Sequence, residues 1–237
     1  MTLIDQTWYL LKKEILLEWR SKYAFNGVLL YVVSTIFICF ISFNLTPGFA
    51  QMGGVEAGET VSNGYKVVWN VLFWIIILFA SVNAIAKSFM QESRGRLLYY
   101  YTIASPQAII LSKTIYNILL MSLLSIMALV VYIIFFTNTI GDPLFYFLAV
   151  ILGSISFSTT FTMISAIASK AGNNGTLMSI LSFPVVIPVI LVLIRLSKNA
   201  MDGLERSASY GNIGVLCAIN VIVIATALLL FPYLWRD

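Results

Sequence analysis

The chain has 237 residues, of which 60% are apolar and only 10% charged, with a net charge of +4 and no histidine; its mean hydropathy is +0.94. Soluble domains carry about 25% charged residues, so this composition excludes a soluble globular protein, and no polar interval is long enough to form a separate soluble domain. Without histidine the commonest zinc and haem ligand sets are excluded, and with no GxxxxGK[ST], Gx[ST]xG or HExxH motif so are P-loop nucleotide binding, serine hydrolysis and zinc proteolysis.

Residues 1–22 place Leu3, Ile4, Trp8, Leu11, Ile15, Leu16 and Trp19 at intervals of three and four, with Lys12, Lys13, Glu14, Glu18, Arg20 and Lys22 at most other positions. That spacing predicts an amphipathic helix in the membrane interface carrying Glu14, Glu18, Trp19 and Arg20, with Trp at headgroup depth and Lys and Arg toward anionic lipid. The first apolar run starts behind this charged segment and no small-residue cleavage pattern follows, so the segment is expected to be retained rather than removed as a signal. Six runs long enough to cross a hydrocarbon core of roughly 30 Å follow, at 24–43, 67–86, 109–136, 145–168, 176–194 and 213–234. In lipid only a helix satisfies its own backbone in each of them. The expected fold is an all-α integral membrane protein, residues 1–23 forming the interfacial helix and 24–237 the six-helix body. Cys39 and Cys217 both fall in apolar runs and read as packed, inert thiols.

The connections fix an expected orientation. With the N-terminus inside, ten of the 14 Lys and Arg residues lie on the inner side and four (Lys66, Arg195, Lys198 and Arg206) on the outer side, which predicts cytoplasmic termini. The inner connection between the second and third spans, residues 87–113, is the most polar stretch between apolar runs. Ser88 with Gln91 and Glu92 offers a helix start, Gly95 a break, and Ser105-Pro106 an N-cap followed by proline at the first helical position. The expectation is a short cytoplasmic surface helix through Glu92, Arg94, Gly95, Arg96, Leu97 and Leu98 that can take a push from a soluble partner.

Within the fourth span, Ser154, Ser158, Thr162, Ser165 and Ser169 share one face, a spacing that favours close helix packing over a polar conduit. The fifth span carries Pro184 and Pro188 one turn apart, which predicts a kink or break. Asn70, Asn83, Asn117 and Asn220 are expected to hydrogen-bond neighbouring helices. No ionisable residue falls at the middle of any span, which argues against an ion-coupled carrier. The chain has a part that can be pushed and no engine of its own, so the energy is expected from a partner.

The stretch KKEILLEWRSKYAFNGVLLY, the E-x-x-G...LL...SP...LSK pattern at Glu92, Gly95, Leu97, Leu98, Ser105, Pro106 and Lys113, and the segment from Gly153 through Pro184-x-x-x-Pro188 together resemble the CcmB family, membrane components of bacterial cytochrome c maturation. The resemblance implies an ABC-type permease subunit of the bacterial inner membrane, not itself an enzyme. It would pair as a homodimer with a CcmA-like ATPase and work with a CcmC-like haem-handling subunit and a small CcmD-like subunit. It implies no bound cofactor, with haem as a transported or handled ligand, and no nucleic acid. A membrane scaffold of the maturation complex, or an ABC-2-type exporter of another substrate, shares the same six-span plan.

Overall fold

A computed structural model of the chain describes residues 2–21, 23–45, 59–90, 104–136, 140–170 and 174–236. In chain order these form α1 (Leu3–Ser21), α2 (Tyr23–Leu45), α3 (Glu59–Met90), α4 (Pro106–Phe135), α5 (Pro143–Lys170), α6 (Asn174–Met201), a 3-10 turn (Arg206–Ser209) and α7 (Tyr210–Arg236); among the described residues there is no strand. Six segments are long and apolar enough to cross a membrane: Phe25–Phe43, Gly64–Ile85, Pro106–Phe135, Pro143–Ser169, Ile180–Met201 and Arg206–Tyr233. The chain is therefore an all-α, multi-pass membrane protein.

Two helices run well beyond their apolar stretches. α3 starts at Glu59 and continues to Met90, so Ser88 lies inside it and does not start a new helix. α6 continues to Met201 and remains helical through Pro184 and Pro188, so neither proline breaks it. Both prolines are exposed on the outside of the bundle, where their rings crowd no neighbouring helix. The start of α4 follows the sequence expectation: Ser105 is the N-cap, its side chain accepting from the Ala108 amide, and Pro106 opens the helix.

α5 occupies the centre, packed against α3, α4, α6 and α7. Its small residues make that position possible. A Cβ at Gly153 would sit 2.4 Å from the Trp74 ring, so only glycine lets this fully buried indole of α3 lie flat on α5. Ser154, Ser158, Thr162 and Ser165 form a buried stripe along the helix. Lipid tails are as apolar as leucine, so close packing and interhelical hydrogen bonds supply most of the cohesion here. Asn117 of α4 donates to Thr162 (2.8 Å) and accepts from Ser158 at its carbonyl (3.0 Å). Asn220 of α7 accepts from Thr159 and donates to Ser156, and Asn70 of α3 donates to the Ile194 carbonyl of α6. Asn83 departs from the expectation: it is exposed and donates to Phe79 in its own helix. α2 meets α4 through phenylalanine rings, Phe37 and Phe40 on Phe135, Phe40 and Phe43 on Phe136.

Candidate functional site at the junction of the first helix and the third span

α1 lies along the first turns of α4 and touches the start of α2. Its side toward the bundle includes polar residues, Glu14 and Glu18 among them. Thr7 and Leu11 are buried there, and three polar residues repeat at intervals that bring each back to the same face of the helix. Gln6 accepts through Oε1 from both the backbone N–H (3.1 Å) and the hydroxyl (2.9 Å) of Ser105. Two turns on, Glu14 pairs with Lys113 at 3.6 Å and with Lys13 at 2.9 Å. One turn further, Glu18 accepts from the Phe25 amide (2.9 Å), one of the donors a helix start leaves without an intrahelical partner, and hydrogen-bonds the Tyr116 hydroxyl.

The electrostatics follow from burial. Burial alone would raise the Glu14 carboxyl, but the Lys113 and Lys13 ammonium groups outweigh it and hold the carboxyl below its ordinary value. The Lys113 side chain is only 3% exposed. It lies within α4, two turns from Pro106, rather than on a polar connector. Burying an ammonium group is costly unless it is paired, and α1 brings the carboxylate that pairs with it.

The other sides of α1 carry the apolar and basic groups. Ile4, Trp8, Ile15 and Trp19 are exposed, Trp19 to 77%, as are Lys12 and Arg20. Trp19 and Arg20 thus point away from the bundle, as an interfacial helix requires, while Glu14 and Glu18 point into it. The expected surface-helix residues Glu92, Arg94, Gly95, Arg96, Leu97 and Leu98 lie outside the described residues, immediately before the Ser105 that Gln6 holds. Pro184 and Pro188 belong to the outward face of α6 and form no part of this junction. Gln6 and Tyr116 are the residues the sequence reading missed, and Lys113 it named only as the end of the polar connection. Their signal was there: Ser105, Lys113 and Asn117 return to one face of α4 at helical spacing, and Gln6, Glu14 and Glu18 do so on α1.

At the opposite end, the α4–α5 connection is fastened to the end of α6. The Gly141 amide donates to the Met201 carbonyl (3.2 Å) and the Asp142 amide to that of Ala200 (2.8 Å). A Cβ at Gly141 would stand 2.8 Å from that Met201 oxygen, so the backbones meet only because this residue is glycine. Asp142 also accepts from the Phe145 amide at the start of α5 and from Arg206 Nε at 2.9 Å. The Arg206 hydrogen bond, followed by the backbone ones, holds its carboxyl below the usual carboxylate range. Lys66 and Asp202 approach to 3.8 Å beside it. No group of three or more His, Cys, Asp or Glu side chains able to hold a metal occurs among the described residues.

The family model described as CcmB protein matches residues 5–233, and the chain belongs to that family. No curated protein and no solved structure matches it. Membership makes the chain a membrane permease subunit of the ABC system for c-type cytochrome biogenesis.

Proposed function

We propose that this CcmB-family subunit turns ATP hydrolysis in a separate, CcmA-like subunit into movement of its own helices, and that residues 91–103 with α1 behind them are where the force enters. The observation that carries the reading is the docking of α1: Gln6 grips Ser105 directly after that segment, and Glu14 holds Lys113 two turns further along α4. A push on residues 91–103 therefore meets two helices joined by hydrogen bonds and an ion pair, not one helix end. A partner-driven change requires contacts that differ between two states, and Glu92, Arg94 and Arg96, with Gly95, Leu97 and Leu98, offer charge and apolar surface for such contacts.

In this reading residues 1–23 form the surface helix and 24–237 the permease body, within the bacterial inner membrane. Both termini are cytoplasmic, as the ten-to-four distribution of Lys and Arg supports. The subunit acts as a homodimer with two ATPase copies and with CcmC-like and CcmD-like membrane partners, and haem or the haem-loaded chaperone is the cargo released. The test is to replace Glu92 and Arg94 by alanine in the assembled complex. Membrane insertion and complex assembly should persist while c-type cytochrome yield falls and hydrolysis continues unproductively. Full yield from the double variant would refute the coupling role, and full yield from a complex whose ATPase is catalytically dead would reduce this chain to a scaffold.

A further inference from the structure

The side of the molecule opposite α1 carries four basic residues, Lys66, Arg195, Lys198 and Arg206. Two of them have partners within the chain: Lys66 faces Asp202 and Arg206 faces Asp142. Arg195 and Lys198 form no ion pair among the described residues, and both are exposed one turn apart on α6. They end a stripe in which Ile180, Phe183, Ile187 and Leu191 are all exposed, at 64%, 71%, 42% and 52%. The steps between these six residues are three or four, so they form one continuous face of α6 that is apolar for three turns and basic at its end. The buried face of the same helix carries Val189, Leu193, Leu196 and Ser197, so the stripe is not a packing surface left over from the core.

We infer that Arg195 and Lys198 bind the phosphate of an anionic phospholipid in the leaflet opposite α1, with its acyl chain lying along the α6 stripe. A ligand that contacts both parts of this face must be apolar over most of its length and anionic at one end, and the bilayer surrounding the helix is made of such molecules. Long basic side chains at a span's end reach the headgroup layer with their stems along apolar surface, and each basic group near an anionic surface contributes about 1 kcal/mol. Lys198 stands in the last turn of α6, where it also complements the helix dipole. Arg195 is six residues from the end, too far in for that explanation.

The test uses the full chain purified in a mild detergent, incubated with phosphatidylglycerol or phosphatidylethanolamine, with retained lipid counted by native mass spectrometry. The wild type should retain phosphatidylglycerol roughly thirtyfold over phosphatidylethanolamine, R195Q/K198Q should lose most of that preference, and R195K should keep it. K12Q, which alters an exposed lysine on α1, should leave it unchanged. Both glutamine positions are exposed, so a monodisperse double variant is expected. An unchanged preference in that variant would overturn the inference. So would displacement of the lipid by millimolar inorganic phosphate, which would make the site one for a soluble anion.

Discussion

The docking of α1 makes a quantitative prediction at Glu14 and Lys113. At 3.6 Å the gross attraction at an effective dielectric of about 20 is roughly 4–5 kcal/mol, and most of it is spent on removing the lysine from water. Removing one partner strands the other. A fully buried pair loses about 3–5 kcal/mol in that case; because the Glu14 side chain keeps 16% exposure, the expected loss for Glu14→Gln or Lys113→Met alone is about 2–4 kcal/mol. The double replacement Glu14→Gln/Lys113→Met leaves no buried charge without its partner, since Lys13, which also loses Glu14, is 31% exposed, and should return to within about 1 kcal/mol of the wild type. The measurement is resistance of α1 to a protease cutting at Lys12, Lys13 and Arg20, in detergent and across pH. The pH sign follows from the depressed carboxyl. Its folded value lies below the ordinary 4.5, so the pair's stabilisation is present above that value and is lost as pH falls through the lower folded one. α1 should therefore stay docked through the neutral range and loosen only in acid. Losses that simply add in the double variant, or an α1 released near pH 7, would refute the pairing.

Three further outcomes follow from the packing. Gly153→Ala should drive Trp74 off α5 and break its 2.8 Å bond to Ser197, costing about 1–3 kcal/mol in thermal stability, while in a Trp74→Leu background the same glycine replacement should cost almost nothing. Gly141→Ala should separate the α4–α5 connection from the end of α6 because the obstruction is backbone; the thermal stability of the purified chain should fall by about 1–3 kcal/mol, and an unchanged melting temperature would count against the close approach. Asn117→Leu removes the donor to Thr162, and since hydrogen bonds between membrane helices average about 0.6 kcal/mol and reach about 1.7, the melting temperature should fall only slightly while cytochrome yield falls strongly if force passes along α4.

The sequence reveals spans because hydropathy measures what lipid tolerates, and all six runs recur as helices. It misjudges where helices end because an α-helix persists wherever its backbone bonds close, in lipid or beyond it. α3 therefore begins at Glu59 and α6 carries Arg195 and Lys198 before stopping at Met201. The Ser105-Pro106 start was legible because a cap is a local device. The burial of Lys113 and the inward turn of Glu14 and Glu18 were not, because each is explained only by the other, and nothing along the chain says that residues about a hundred positions apart will meet. The pattern of α1 told only half of its placement. Its tryptophans and isoleucines marked the outward face, which is exposed, but nothing in the pattern marked the carboxylates as the groups that meet protein.

These contacts line up on one helix. Along α4, Ser105 is held by Gln6, Lys113 by Glu14, and Asn117 by Thr162 and Ser158 of α5; positions 113 and 117 are one turn apart on the same face. α5 is in turn tied to α7 through Asn220, and its far end is fastened to α6 by the backbone pairing at Gly141 and Asp142. In a bilayer, where burial gives helices little reason to prefer one apolar neighbour over another, such polar ties decide which helices travel together. A displacement that begins before Ser105 is thereby handed to α4 and α1 as a pair, passed to α5 at Asn117, and resisted at the opposite end by the fastening at Gly141. That arrangement favours tilting about a fixed far end, which is the mechanical behaviour the proposed coupling to an ATPase requires.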